Sequence, residues 1–183
     1  MLRATAAGYA DLMSEVTAGA DWIIADILGV EAIHKVAWDI VQTDLRRWIS
    51  RPAELRAGDP GAFEDLFEGL SMNGFAMQAM RSSRPASGTE HLFSHIWEME
   101  HLEVGGLSVS HGFKVAIGTL AATALMERLL ARDVERLDIE GRCRAWVTWE
   151  QREAEARRAF ESSPILEEVL AACRKKWVAP EAL

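Results

Sequence analysis

The sequence predicts an all-α fold, a helical bundle that forms a single domain over residues 1–183. Apolar residues recur every three or four positions through most of the chain, which is the pattern of amphipathic helices. No segment of useful length alternates apolar and polar residues as a half-buried strand does, and no internal repeat is visible. The composition, with 49% hydrophobic and 26% charged residues, is that of an ordinary globular domain.

The first half of the chain predicts three helices. The first covers about residues 4–28 and stops at Gly29, and the second covers about residues 31–49 and ends before an Arg-Pro pair. Asp59 and Pro60 are typical of an N-cap followed by proline in the first turn. They open a third helix that continues to about Met80.

The second half predicts four more helices. Ser87 and Glu90 have the spacing of a capping box and predict a helix start just before His91. A Gly-Gly pair at 105–106 predicts a loop, and residues 110–131 then predict a long apolar core helix. Two charged outer helices follow, one from a second capping box at Thr148 to about residue 160 and one from a Ser-Pro pair to about residue 177.

The net charge of −8, from 28 acidic and 20 basic residues, argues against two classes of partner. Nucleic acids and anionic membranes are both recognised by clustered lysine and arginine, so we expect neither. An anionic substrate would need locally placed cations. The two cysteines form no C-x-x-C motif, the N-terminus lacks a signal-peptide pattern, and the longest apolar run is well short of a membrane span. We therefore expect a cytoplasmic protein.

Histidines gather between residues 82 and 111, which hold four of the five in the chain. His91 and His95 lie four residues apart on the predicted helix, so their imidazoles address one point, and His111 follows the Gly-Gly break and can return to it. Such a pair suits zinc, iron or nickel when a further ligand completes the site, and a carboxylate such as Asp11 is the usual choice. Spacing alone leaves open the alternative that these are unrelated core and surface side chains.

Three motifs, in order along the chain, carry a resemblance to a known family. They are G-Y-A-D-L at 8–12 with A-D-W at 20–22, S-R-P-A-S-G-T-E-H at 83–91 with S-H at 94–95, and H-G-F-K-V-A-I-G at 111–118. Together they resemble the helical C-terminal domain of the metal-dependent polyol dehydrogenase superfamily, which includes iron-containing alcohol dehydrogenases, glycerol dehydrogenases and dehydroquinate synthases. The second motif is most similar to the branch of sn-glycerol-1-phosphate dehydrogenases.

The resemblance implies a role for each matching residue. Asp11, His91 and His111 would be the ligands of one catalytic divalent metal, which is zinc, nickel or iron. His95 would be a catalytic residue that does not bind the metal and lies near the transferred hydride. Ser83 and Arg84 would hold a phosphate of the substrate, a small polyol or polyol phosphate.

Members of this superfamily also carry an α/β nucleotide-binding domain with a Gly-rich turn, and no such motif occurs in these 183 residues. The resemblance therefore implies the metal- and substrate-binding part of an NAD(P)-dependent oxidoreductase, inactive until a nucleotide-binding domain is supplied, for example by a separate partner chain. One alternative is a non-catalytic helical interaction module that forms homo-oligomers. Another is a fragment of a dehydroquinate synthase-like lyase, which the second motif makes less favourable.

Overall fold

The structure is a computed structural model that describes residues 2–179, and it confirms a nearly all-α chain. The chain forms two compact units, residues 1–130 (the first unit) and residues 131–183 (the second unit). The single domain over residues 1–183 stays a prediction. None of the helices in the described part of the chain combines the length and the apolarity needed to cross a membrane.

The described residues of the first unit form eight α-helices. They are α1 (Leu2–Met13), α2 (Glu15–Ile27), α3 (Lys35–Gln42), α4 (Leu45–Trp48), α5 (Pro52–Ala57), α6 (Pro60–Met80), α7 (Thr89–Met99) and α8 (His111–Leu130). A single 3-10 turn, Arg84–Ala86, comes before α7, and a β-hairpin joins α7 to α8.

Two of the predicted helices differ from their predicted extent, each for a local reason. The first divides at Ser14, whose hydroxyl donates to the Asp11 carbonyl at 2.6 Å and so competes with the helical hydrogen bonds. The second starts later than predicted because the His34 ring accepts from the backbone N–H of Ala37 and caps α3. The predicted cap of α6 is confirmed, since the Asp59 side chain accepts from Ala62 N–H.

The Gly-Gly pair forms a tight hairpin turn, where the sequence predicted only a loop. The strands are β1 (Glu103–Val104) and β2 (Leu107–Ser108), which pair antiparallel. Gly105 and Gly106 have φ values of 62° and 75°. Positive φ at both central residues is the requirement of a type I′ turn, which only glycine and a few polar residues meet at low cost. The strands are too short to leave an alternating pattern in the sequence.

Two clusters of buried side chains form the core of the first unit. One joins α1, α4, α5 and α6 around Leu12 and Trp48, and the other joins α2, α3 and α6 around Trp22 and Val41. Helix α8 was predicted as a core helix, but it is buried on one side only. Val115 is fully buried, whereas Leu120 is 68% exposed.

The second unit contains three α-helices among its described residues, namely α9 (Ile139–Arg144), α10 (Trp149–Ala159) and α11 (Leu166–Lys176), after a 3-10 turn at Val134–Arg136. The predicted capping box at Thr148 and Gln151 is confirmed, with both reciprocal hydrogen bonds present. The Arg174 guanidinium lies over the rings of Trp149 and Trp177, at 4.7 and 5.3 Å from their centroids. This stack links α10 to α11.

Candidate metal centre

Asp11, His91 and His111 come together in the first unit, and their role as metal ligands stays a prediction. One ligand atom from each side chain lies within 4.8 Å of the other two. The Asp11 Oδ1 atom is 3.5 Å from His91 Nε2 and 3.5 Å from His111 Nε2. Two imidazole nitrogens and a carboxylate oxygen that face a common point are a donor set suited to a divalent metal with open coordination positions.

Two glycines of α8 allow the three candidate ligands to approach one another. A Cβ atom at Gly112 would lie 2.0 Å from the Ala7 carbonyl oxygen on α1, and one at Gly118 would lie 2.2 Å from the Glu90 carbonyl oxygen on α7. Any larger residue would therefore push the neighbouring backbone away. Because Asp11 is on α1, His91 on α7 and His111 at the start of α8, these contacts set the spacing of the ligands.

In each histidine, Nε2 faces Asp11, and a glutamate carboxylate contacts the second ring nitrogen, Nδ1. His91 Nδ1 lies 2.9 Å from Glu90 Oε1, and His111 Nδ1 lies 2.6 Å from Glu98 Oε1. A carboxylate at Nδ1 keeps the proton there, so Nε2 is the atom left for a metal. From the sequence, Glu90 was predicted only as part of a helix cap, and Glu98 was not identified. Glu98 follows His91 by seven residues, two turns along the same helix face, which is the signal that points to it.

Glu90 also connects the metal centre to the surrounding fold. It is fully buried, and its Oε1 accepts from Gly88 N–H at 2.6 Å while its Oε2 accepts from the Thr17 hydroxyl at 2.9 Å. The predicted capping box of Ser87 and Glu90 is wrong, because Ser87 ends the 3-10 turn and α7 begins at Thr89. Glu90 caps the helix from inside its first turn and positions His91 at the same time.

The negative charges around His91 favour a cation where the three candidate ligands converge. Burial lowers the pKa of His91, but the hydrogen bonds and negative charges of Asp11 and Glu90 outweigh it and raise the pKa to about 9. Without a metal, His91 is therefore an imidazolium between two carboxylates. Asp11 Oδ1 is buried and makes no well-formed hydrogen bond within the described part of the chain. A metal ion would replace the Nε2 proton of His91 and satisfy this oxygen.

The three residues line a cleft of about 260 Å³ in the first unit. His95, Ser83 and Ser87 also line it, as do Glu15 and Asn73. A cleft of this size is smaller than the sites that hold drug-sized molecules, and it suits a small polar ligand.

No family model matches the chain. Several curated proteins are similar to it in sequence. It is 32% identical to a glycerol-1-phosphate dehydrogenase [NAD(P)+] of Halalkalibacterium halodurans over 136 residues, which cover 74% of this chain and 34% of that protein. It is 30% identical to the protein of the same name from Geobacillus stearothermophilus, over 97% of this chain and 45% of the relative. The chain belongs to the glycerol-1-phosphate dehydrogenase family. A member from Archaeoglobus fulgidus is 36% identical over 72% of this chain and 36% of its own length. The chain thus spans between a third and a half of the length of these family members.

His95 lies beside the metal centre, where the family resemblance predicted a catalytic residue outside the ligand set. Its ring centroid is 6.0 Å from that of His91 and 6.4 Å from that of His111. Burial and the positive charge of His91 lower the pKa of His95, so its neutral form is favoured. A neutral imidazole at the edge of the cleft is suited to accept a proton.

Ser83 and Arg84, the predicted phosphate-binding pair, are placed differently. Ser83 is exposed and lines the cleft. The Arg84 guanidinium instead lies 3.0 Å from an Asp21 carboxylate oxygen and 3.0 Å from a Glu31 oxygen, and it donates to the Ser87 carbonyl at 3.3 Å. These contacts favour a role in holding the 83–87 segment in place. A direct role of Arg84 in binding phosphate stays a prediction.

Glu15 and Asn73 are cleft residues that were not identified from the sequence. Glu15 is 1% exposed and Asn73 is 5% exposed, and the Asn73 amide donates to Glu15 Oε1. Burial raises the pKa of Glu15 well above its ordinary value. Glu15 follows Asp11 by four residues and so lies on the same face of the helical segment, which is the sequence signal for it. Asn73 comes from α6, and no local pattern indicates its partner.

Proposed function

We propose that the first unit binds one divalent metal through Asp11, His91 and His111, and that the chain is the metal- and substrate-binding part of a cytoplasmic NAD(P)-dependent oxidoreductase. Its substrate is a small polyol or polyol phosphate. The observation that carries the proposal is the convergence of Asp11 Oδ1 with two Nε2 atoms whose rings are fixed by carboxylates at Nδ1. The names of the family members agree with the reaction class.

The donor set fits zinc, nickel or iron, and a bound metal would supply a Lewis acid that lowers the pKa of a substrate hydroxyl. The residues of the chain prepare that step. Glu90 and Glu98 orient the two imidazoles, and Asp11 contributes negative charge. His95, neutral and at the cleft, accepts the hydroxyl proton. Hydride transfer also needs a bound nicotinamide, so we expect turnover only with a nucleotide-binding domain.

Metal stoichiometry tests the metal site directly. The 183-residue chain, stripped with a chelator and reloaded with Zn²⁺, should hold one ion per chain by elemental analysis. Asp11→Ala and His111→Ala should lose that ion. His34→Ala and His101→Ala, which change exposed histidines outside the cleft, should retain it. A folded wild-type chain that holds no metal, or ligand variants that hold as much as the controls, would overturn the proposal.

A second candidate function is a helical module that associates through an apolar surface. The outer face of α8 favours it, because Ile117, Leu120 and Leu125 are 56%, 68% and 54% exposed. Such a face favours a second copy or a nucleotide-binding partner domain. Light scattering on the wild-type chain and on Leu120→Glu tests this function. A wild-type chain that stays monomeric at high concentration would exclude homo-oligomers.

A further inference from the structure

We infer that Thr17 of α2 is a positioning residue of the metal centre and that it acts on His91 through Glu90. The inference rests on the proposed metal site and extends it to a side chain outside the cleft lining. It follows from how the buried Glu90 carboxylate uses its two oxygen atoms and from the contacts that hold α2 against the start of α7.

The two oxygen atoms of Glu90 contact different parts of the fold. Oε1 lies 2.9 Å from His91 Nδ1 and accepts from Gly88 N–H at 2.6 Å, and both of these residues are close to Glu90 in sequence. Oε2 instead accepts from the hydroxyl of Thr17 at 2.9 Å, and Thr17 is 73 residues away on α2. The orientation of the carboxylate toward His91 therefore depends on a contact that α7 does not supply.

The proton of the Thr17 hydroxyl is available to Glu90. The hydroxyl oxygen also lies 2.9 Å from the Ser14 carbonyl oxygen, and a hydroxyl has only one proton to donate. The Ser14 carbonyl already accepts from the backbone N–H of Ala18 at 2.9 Å. A hydrogen bond to a carboxylate is stronger than one to a neutral carbonyl, so the Thr17 proton is donated to Glu90.

Burial makes this hydrogen bond difficult to replace. Thr17 and Glu90 are both buried, so solvent water is kept away from Oε2. A buried acceptor that loses its donor is destabilised, and the effect is larger for a charged group. Without the Thr17 hydroxyl, the carboxylate should turn toward other donors and weaken its contact with His91 Nδ1.

Two neighbouring contacts hold α2 at a fixed distance from the start of α7. A Cβ atom at Gly88 would lie 2.8 Å from the Cα atom of Ala18, so the two backbones are packed closely. One turn further along α2, Asp21 Oδ1 accepts from the Thr89 hydroxyl at 3.2 Å. Because Thr17 lies on the same helix as Ala18 and Asp21, these contacts keep its hydroxyl within reach of the carboxylate.

Zn²⁺ affinity and NMR spectroscopy of the Zn²⁺-loaded 183-residue chain test the inference without turnover. Thr17→Val replaces the hydroxyl by a methyl group of similar size, and it should weaken Zn²⁺ binding about fivefold or more. It should also shift the NMR signal of the His91 Nδ1 proton. The signal of the His111 Nδ1 proton should stay unchanged, because a different carboxylate contacts that ring.

Two further variants separate positioning from a general effect on the fold. Thr17→Ser keeps the hydroxyl and should restore both the Zn²⁺ affinity and the His91 signal. Thr119→Val is the matched control, because the Thr119 hydroxyl donates to the Val115 carbonyl within α8 and lies outside the cleft lining. It should change neither measurement. If Thr17→Val fails to fold, Thr17→Ala is compared with Thr17→Ser, since these two differ only in the hydroxyl.

An unshifted His91 signal in the variant that lacks the hydroxyl would overturn the inference. Equal shifts of the His91 and His111 signals would overturn it too, since they would indicate a general loosening of the first unit. Both outcomes leave the proposed function intact as long as the wild-type chain binds one Zn²⁺. A folded wild-type chain that binds no Zn²⁺ contradicts the proposed function itself.

Discussion

Replacing Gly118 by alanine should destabilise the first unit and disturb the metal centre together. The new Cβ would lie 2.2 Å from the Glu90 carbonyl oxygen, so α7 and α8 must separate by about 1 Å to restore an ordinary contact. Both partners are backbone segments of packed helices, and such overpacking costs about 1–3 kcal/mol. The higher helix propensity of alanine offsets up to about 1 kcal/mol of this cost. We expect a net loss of up to about 2 kcal/mol in the free energy of unfolding.

Gly74→Ala is the matched control, because Gly74 is also in a long helix and its added Cβ would meet nothing within 4 Å. It should stabilise the chain by about 0.5–1 kcal/mol through helix propensity alone. Urea unfolding of the metal-free proteins, followed by circular dichroism, measures both effects. Gly118→Ala should also weaken Zn²⁺ binding, since Glu90 holds His91. Equal stability of the two variants would refute the close approach of α7 and α8 as the reason for Gly118.

Three further predictions concern the carboxylate that contacts His111, the proton on His91 and the second unit. Glu98→Gln should weaken Zn²⁺ affinity about tenfold or more at unchanged urea midpoint, with exposed Glu100→Gln as the control. The raised pKa of His91, about 9, means that Zn²⁺ binding at pH 7.5 should release about one proton from this ring and that affinity should fall as pH drops below 9. Calorimetry in buffers of different ionisation enthalpy measures that proton, and its absence would contradict the assigned charge state. Thr148→Ala should remove the capping box and cost about 1 kcal/mol in the second unit, visible as faster hydrogen exchange at the start of α10.

Most elements that local sequence determines were predicted well, the exception being the capping box of Ser87 and Glu90. Helix periodicity, the Asp59 cap and the Thr148 capping box depend on residues within a few positions of one another, and all appear in the structure. The break at Ser14 was missed because a hydroxyl hydrogen bond to the preceding turn is compatible with either a continuous or a divided helix. The exposed side of α8 was missed because an apolar sequence does not reveal which face its neighbours cover.

The three candidate metal ligands were identified from the sequence because a resemblance supplied what spacing alone left open, and their binding of a metal stays a prediction. The pairings of the polar side chains around them could not be predicted. Glu98 is 13 residues from His111 in sequence, and Asn73 is 58 residues from Glu15, so each pairing depends on how distant helices pack. Arg84 was predicted to bind phosphate because of the resemblance, and no carboxylate lies near it in sequence. In the folded chain two carboxylates from distant positions form ion pairs with it.

X-ray absorption spectroscopy of the Zn²⁺-loaded 183-residue chain tests the central claim most directly. We expect two imidazole nitrogens at about 2.0–2.1 Å from the metal, with oxygen atoms as the remaining ligands, and the loss of one imidazole in His111→Ala. A sulfur ligand from Cys143 or Cys173, or a spectrum that His111→Ala leaves unchanged, would contradict the assignment of Asp11, His91 and His111 as the metal centre.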